Sequence, residues 1–487
     1  MNDAAIAVED ARSFKELKRD PLYADRVKVY PKEVGGRFRT IKWAVLILLL
    51  GIYYIAPWLR WDRGPGVPDQ AFLIDMPGRR AYFLWIEIWP QEVYYITGLL
   101  LLGAFGLFLV TSIAGRVWCG FTCPQTVWTD LFMWVERRIE GDRGARIRLD
   151  KAPLSREKIF KKAAKHAAWL LIAALTGGAW IMYFNDAPTV TRALLTGNAS
   201  FAQYFFFGLF TATTYLLAGW AREQVCTYMC PWPRFQAALL DEHSYVVTYQ
   251  KWRGEPRAPL KKTSDWSQRG DCIACNQCVA VCPMGIDIRE GLQLECIGCG
   301  LCVDACNDVM ARIGRPRELI TMDTERNQVL RAAGQPPVHP IVRPRTVIYA
   351  AILLVVASVI LFGLGARAAV DINILPERNP LYVTLADGSL RNGYTIKILN
   401  KSHDERLYDL TLEGIEGATL SVVGQDLERS SQAQLPASPD TVTAYRVYVT
   451  APPAAASEGS QPLTMALTDR QGGQTVRHET VFRAPER

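Results

Sequence analysis

Five stretches of this chain are long, apolar and free of Asp, Glu, Lys and Arg: 43–59, 93–115, 167–185, 199–221 and 346–366. A bilayer core of ~30 Å takes about 20 residues of helix. A charge at its centre costs roughly 2.5–3.5 kcal/mol. One such run could be the buried helix of a soluble core; five predict a membrane protein. Trp43, Trp58, Trp89, Trp118, Trp169 and Trp220 lie near the ends of runs, where an aromatic belt forms.

The connecting segments orient the chain. Residues 1–42, 60–92, 116–166 and 186–198 hold ten, four, twelve and one Lys/Arg respectively. This alternation places the N-terminus and 116–166 in the cytoplasm. Forty-two mostly polar residues precede the first apolar run, which is not the pattern of a signal peptide. A net charge of +7 is modest for 487 residues and gives no reason to expect nucleic acid.

The expected fold class is a multi-domain membrane protein. A cytoplasmic tail (1–42) leads into two helical hairpins (43–221). A cytoplasmic, cysteine-bearing ferredoxin-like domain follows (222–345), ending in a proline-rich linker. The fifth transmembrane helix is 346–366, and 367–487 is a periplasmic all-β domain. In that last region apolar and polar residues alternate at 395–400, 408–412 and 443–451. Asp387-Gly388, Asn392-Gly393 and Gly472-Gly473 read as turns between strands. An immunoglobulin-like sandwich fits that length and spacing. The region has no cysteine and no catalytic constellation, which favours docking or stabilisation.

All twelve cysteines fall between Cys119 and Cys306. Cys272, Cys275, Cys278 and Cys282 form C-x2-C-x2-C-x3-C, followed by Pro283; Cys296, Cys299, Cys302 and Cys306 repeat the spacing. This is the two-cluster ferredoxin pattern, in which the fourth cysteine of each run serves the other cluster. It predicts one [4Fe–4S] cluster on Cys272, Cys275, Cys278 and Cys306, and a second on Cys296, Cys299, Cys302 and Cys282. Two-residue gaps wrap three corners of a small cube, and the borrowed fourth ligand ties the runs together. Zinc sites use pairs of C-x2-C instead, and disulfides do not suit a cytoplasmic domain.

The other four cysteines make two C-x3-C-P motifs, Cys119–Cys123 and Cys226–Cys230, each closing a hairpin and 107 residues apart. Each precedes an amphipathic stretch, 126–140 and 234–243, expected as a surface helix. Hairpin, motif and helix thus form an internal repeat. In a helical C-x3-C both thiols share a face. Proline places Cys123 and Cys230 at a break ahead of a new helix, a position that favours thiolate. Four such thiols can hold copper(I) or an iron–sulfur cluster, or exchange electrons as dithiol and disulfide. Buried cysteine can also be a plain small hydrophobe, but two pairs at equivalent positions argue for chemistry.

Other candidates carry less. The histidines (His166, His243, His339, His403, His478) do not pair across helices as haem ligands do; His243 is an accessory copper candidate and His166 an interfacial residue. Glu87 and Glu92 flank the outer end of the second helix as solvated carboxylates that could take quinol protons. Met229, inside the second motif, offers a thioether.

The segments KVYPKEVGGRFRTIKW (28–43), WCGFTCPQTVWTDLFMWVERRIEGDR (118–143) and CTYMCPWPRFQAALLDE (226–242), with the cysteine runs of 272–306, resemble the CcoG/FixG/RdxA family of cytochrome c oxidase accessory proteins. The likeness spans essentially the whole chain. It implies a bacterial inner-membrane protein with two [4Fe–4S] clusters. It also implies reduction of Cu(II) to Cu(I) for assembly of cbb(3)-type oxidase, with Cys119, Cys123, Cys226 and Cys230 as copper-handling catalytic residues. The implied partners are copper, a cytoplasmic electron donor, a copper transporter or chaperone, oxidase subunits and membrane lipid. A quinol dehydrogenase-type carrier and a non-enzymatic assembly scaffold are the rival functions. No dinucleotide or flavin motif identifies the donor.

Overall fold

The computed structural model describes residues 28–485 apart from 65, 261–265, 368, 369, 403, 426–428, 440 and 456–458. Most of the expected N-terminal tail, and His403, therefore lie outside the described residues. The chain divides into two compact units, Met1–Asp62 with Pro68–Ile360, and Arg63–Val67 with Leu361–Arg487. The hairpins and the cysteine-bearing segment thus share one unit.

In the first unit the main helices are α1 (Arg37–Ile55), α2 (Tyr94–Ala114), α3 (Pro124–Glu140), α4 (Arg156–Met182), α5 (Phe201–Thr214), α6 (Trp232–Leu239) and α7 (Leu301–Arg312), with α8 (Pro344–Gly365) beginning in it and ending in the second. Among the described residues, four helical segments are long and apolar enough to cross a membrane: Arg37–Trp58, Pro90–Ala114, Phe201–Ala221 and Pro344–Gly365. The remaining apolar run falls in α4, which is 27 residues long but opens on a charged third and carries Thr176, Gly177 and Gly178. Those small residues serve packing. A Cβ on Gly177 would meet the Phe207 carbonyl oxygen and the Thr211 nitrogen at 2.8 Å, so α4 and α5 touch backbone to backbone there.

The segment between α1 and α2 folds into a small antiparallel sheet of β1 (Phe72–Asp75), β2 (Arg80–Phe83) and β3 (Ile86–Ile88). Its acids are not solvated as expected: Glu92 is buried and accepts from the Trp89 N–H, and Glu87 pairs with Arg80.

Helix α3 also departs from the sequence reading. Its acids do not face solvent: Asp130, Glu136 and Glu140 are buried, with Phe132 and Val135 beside them. The reason is a supply of cations from neighbouring segments. Arg39 Nη1 donates to both carboxylate oxygens of Asp130, and Lys42 stands 3.7 Å from it. Glu136 meets Arg146 at 3.0 Å and Arg222 at 2.9 Å, and Glu140 meets Lys165 at 3.0 Å. Buried pairs of this kind add little net stability but punish the loss of one partner. They fix α3 against α1 and α4.

The cysteine-bearing segment is closed by a two-stranded ribbon, β4 (Val246–Tyr249) with β5 (Ile320–Asp323). It is clasped by residues ahead of α1. Asp304 of α7 accepts from the backbone N–H groups of Phe38 and Arg39, capping α1 from another element. Gly36 is obligatory there, because a Cβ would lie 2.4 Å from the Asp304 carboxyl carbon.

The second unit is a sandwich of two antiparallel sheets. The strands are β6 (Val370–Pro376), β7 (Val383–Thr384), β8 (Leu390–Asn400), β9 (Arg406–Glu413), β10 (Thr419–Val422), β11 (Gln432–Ala437), β12 (Thr441–Ala451), β13 (Ser460–Asp469) and β14 (Thr475–Arg483). One sheet runs β10-β12-β8-β6 with β7 on β8, the other β11-β9-β13-β14. Period-two alternation buries Tyr394, Ile396, Ile398, Leu410, Val447 and Leu467 between them. Asp387-Gly388 and Gly472-Gly473 are turns, as expected. Asn392-Gly393 is not: it lies inside β8 opposite Val449 and Tyr448. Gly393 is there for space, since a Cβ would meet the Glu377 side chain at 2.5 Å.

Candidate redox centre

The two cysteine runs share one backbone plan at an offset of 24 residues. Ala274 and Asn276 have positive φ (53° and 55°), and so do Gly298 and Gly300 (69° and 71°). Each left-handed residue turns the chain inward, and L residues adopt this region rarely. A helix follows each loop, Gln277–Ala280 in the first run and α7 in the second. The N–H groups of Gln277, Met284, Ile286, Gly298 and Ile320 hydrogen-bond cysteine sulfurs.

The thiols ring two apolar cavities. One, of about 20 Å³, is lined by Cys272, Cys275, Cys278 and Cys306, with Tyr249 and Arg289. The other, also of about 20 Å³, is lined by Cys282, Cys296, Cys299 and Cys302; Cys278 forms its boundary with the first. Burial pushes the thiols of Cys278 and Cys282 up to about 12 and that of Cys296 to about 11. Thiolates here therefore need a bound cation. Among the described residues no three His, Cys, Asp or Glu side chains converge on one ion. Thiols arrayed around a void suit a multi-atom cluster better than a single zinc ion, so the donor set fits a [4Fe–4S] cluster in each cavity.

The membrane-face motifs repeat as well, at their offset of 107. Gly115 (φ 60°, ψ −126°) and Arg222 (φ 42°, ψ −111°) make the same sharp turn at the end of each hairpin. A π-turn follows each, Trp118–Thr122 and Val225–Met229. In each, the second cysteine donates its N–H five residues back: Cys123 to Trp118 at 2.9 Å, Cys230 to Val225 at 2.8 Å. Cys123 then caps α3 with Pro124 at its first position, while Cys230 and Pro231 precede α6. π-turns recur at functional sites.

The thiols of Cys123 and Cys230 each raise the pKa of both Cys119 and Cys226, so the two pairs lie within electrostatic range of each other, although among the described residues no three of them converge on one ion. Their settings differ. Cys230 is exposed, whereas burial pushes Cys119 and Cys226 up to about 12. For Cys119 and Cys226 the environment therefore opposes thiolate. The Cys119 thiol faces the buried Gln236 amide oxygen at 3.1 Å.

The first motif lies directly against the second cysteine loop. A Cβ on Gly120 would meet Cys299 Cα and the Ile297 carbonyl oxygen at 2.9 Å. Arg116, buried, donates to the carbonyls of Leu294 and Pro233, and to that of Cys296 at 2.9 Å. One guanidinium thus joins the second loop, the start of α6 and the turn bearing Cys119.

Arg116, Gly120 and Gln236 were absent from the sequence-based site. Arg116 had counted only as a topogenic charge, and its position one residue after the hairpin turn was the available signal. The weaker candidates stay apart. His166 bonds the Tyr215 hydroxyl at 2.9 Å and stacks on Trp220, and His243 stands 3.4 Å from Glu242. Met229 is exposed. A more open cavity beside His166, Trp169 and Arg222 has no thiol in its wall.

Three family profiles match: a 4Fe-4S dicluster domain at 221–325, a 4Fe-4S binding domain at 96–141, and the IG-like fold at the C-terminus of FixG at 360–485. The second of these spans Cys119 and Cys123. The nitrogen fixation protein FixG of Rhizobium meliloti is 48% identical, over 99% of this chain and 98% of its own length. The protein RdxA of Cereibacter sphaeroides is 49% identical, over 92% and 94%. The ferredoxin-type protein NapH of Escherichia coli is 23% identical, over 57% of this chain and 90% of its own. A crystal structure of a FixG-related protein from Vibrio parahaemolyticus is 20% identical and covers 24% of this chain and 97% of its own, at a TM-score of 0.20. With FixG and RdxA alike over nearly its whole length, and with ferredoxin-type segments ahead of a FixG C-terminal fold, this chain belongs to the FixG family of iron–sulfur proteins.

Proposed function

We propose that this protein is a membrane-bound cupric reductase that supplies Cu(I) during assembly of a cbb(3)-type cytochrome c oxidase. The observation that carries the reading is the contact of Gly120 and Arg116 with the Cys296–Cys299 loop, which joins the turn bearing Cys119 to a cluster-type cavity. In this reading the clusters, when bound, supply one-electron storage and transfer. Cys272, Cys275, Cys278 and Cys306 hold one, and Cys282, Cys296, Cys299 and Cys302 the other. Arg116 ties the second loop to the turn that carries Cys119.

Cu(II) is the substrate. Exposed Cys230 meets it first, and Cys119, Cys123 and Cys226 complete a thiol-rich environment. Burial keeps Cys119 and Cys226 protonated at neutral pH until a soft cation displaces their protons. Thiolates favour Cu(I), so the ligand set draws the one-electron reduction forward. Family membership supports a bacterial inner-membrane location, and the five charge-free runs support five crossings, α4 being the third. The charge pattern of the loops supports the cysteines and N-terminus on the cytoplasmic side and the sandwich in the periplasm.

The experiment is anaerobic. Chemically reduced protein is mixed with Cu(II), or separately with a quinone. Reoxidation by copper, with Cu(I) appearing in step, supports the proposal. Reoxidation by quinone alone points to a quinol dehydrogenase, and reoxidation by neither to a scaffold.

A further inference from the structure

The two cysteine cavities face different surroundings. The Cys296–Cys299 loop is covered by Arg116 and Gly120. The Cys272 end is wrapped in arginine. Asp271, buried beside Cys272, accepts from Arg253 Nε at 2.7 Å and from Arg315 Nε at 2.5 Å, so two guanidinium groups share one carboxylate. Arg269 donates to the Cys272 carbonyl at 3.3 Å, and its guanidinium and that of Arg315 lie over the Trp266 ring at 5.0 and 4.9 Å.

Further out, Arg257 and Arg317 are exposed. The carbonyl of Arg317 takes a hydrogen bond from Arg253, which joins it to the same rim. An open groove alongside is lined by Trp252, Arg253, Arg317, Glu318 and Arg331. Over the described residues of 251–271 and 311–318 there are seven Lys/Arg against three Asp/Glu. A positive field of this kind concentrates negatively charged partners and speeds their encounter.

We propose that this arginine-rich face is the electron-entry port, and that it docks a small acidic electron-carrier protein. The inference rests on the reading that the clusters feed the membrane-face thiols, and it gives that wire a direction. Electrons enter at the Cys272, Cys275, Cys278, Cys306 cavity and leave from the Cys282, Cys296, Cys299, Cys302 cavity. At each encounter the carrier is oxidised by one electron and this protein is reduced by one. One Cu(II) is later reduced by that electron, and no proton need move with it. Charge supplies orientation and rate, and the exposed arginines permit release after transfer.

The test uses the full holoprotein in lipid nanodiscs, clusters oxidised, with a reduced plant-type [2Fe–2S] ferredoxin as the acidic probe. Cluster bleaching is followed by stopped flow before any copper is present, so failure of copper reduction would leave this result standing. The bimolecular rate should fall about tenfold or more between roughly 0.05 and 0.5 M salt. Arg257→Glu combined with Arg317→Glu should lower it by a similar factor at low salt, with dithionite bleaching unchanged in extent. Should that variant lose its clusters, dithionite amplitude reveals it, and the salt series on the unaltered protein decides. A rate indifferent to salt overturns the proposal. So does a lipid-soluble quinol that bleaches the clusters faster than the ferredoxin in the same nanodiscs.

Discussion

The unit that holds the cysteines contains two repeats, and they have diverged differently. The cysteine runs keep both backbone and cavity: left-handed residues at the same two places, and two thiol-lined apolar cavities of similar size. The hairpin motifs keep the backbone but not the surroundings. Gly115 and Arg222 make one turn, and both motifs make one π-turn. Yet the first motif presses on the Cys299 loop and opens a 17-residue helix buried among cations. The second leads into an eight-residue helix and exposes Cys230. Duplicated clusters are a wire, which needs equivalent stations. Duplicated thiol pairs with unequal exposure are a gateway, which needs an inner and an outer side.

The largest effect should come from breaking one station. Cys302→Ala should lower the iron content from about eight to about four per chain, as each [4Fe–4S] cluster holds four. Retention of all eight would refute the pairing of Cys302 with its cavity. Next comes the joint between wire and gateway. Even the methyl of Gly120→Ala has no room against Cys299 Cα. The variant should keep its iron and its reduction by dithionite. Its reoxidation by Cu(II) should slow roughly tenfold to a hundredfold, as displacement by about an ångström does in other active sites. An unchanged rate would mean that electrons leave by another route.

The inequality of the thiols can be read directly. In cluster-loaded protein at neutral pH, a maleimide should label Cys230 at least about tenfold faster than Cys119, because Cys230 is exposed while burial shields the Cys119 thiol and holds it protonated. Equal rates would remove the distinction between outer and inner cysteine.

Much of this architecture was legible in the chain. Spacing alone announced the cysteine cavities, because loops that wrap a cube leave fixed gaps. Five charge-free runs announced helices, and alternation announced β8, β9 and β12. What stayed hidden was long-range. Asp304 belongs to none of the sequence motifs, yet it caps α1, 266 residues away at Phe38. The acids of α3 read as a solvated face, because the cations that neutralise them come from α1, α4 and the Arg222 turn. Asn392-Gly393 reads as a turn, because the demand for a missing Cβ comes from Glu377, one residue past the end of β6. Arg116 belongs to this class: its worth lies in carbonyls that chain order places 117–180 residues away.

The smallest effect concerns the cations that hold the first motif's helix. Arg222, Arg146 and Lys165 around Glu136 outweigh its burial and hold its carboxyl down to about 2. A carboxylate whose native pKa lies below its unfolded value of about 4.3 adds stability at neutral pH. That contribution is complete above about pH 5 and is lost as pH falls through 4 toward 2. Thermal melting in detergent should therefore fall across that window. Glu136→Gln should flatten the fall while lowering the melting point at pH 7, since it leaves buried cations short of a partner. The second motif has no carboxylate of this kind on its short helix, so Gln236→Ala on α6 should leave the slope of melting point against pH unchanged. If the slope were the same in Glu136→Gln as in the unaltered protein, the buried acid would not be what sets the first motif apart.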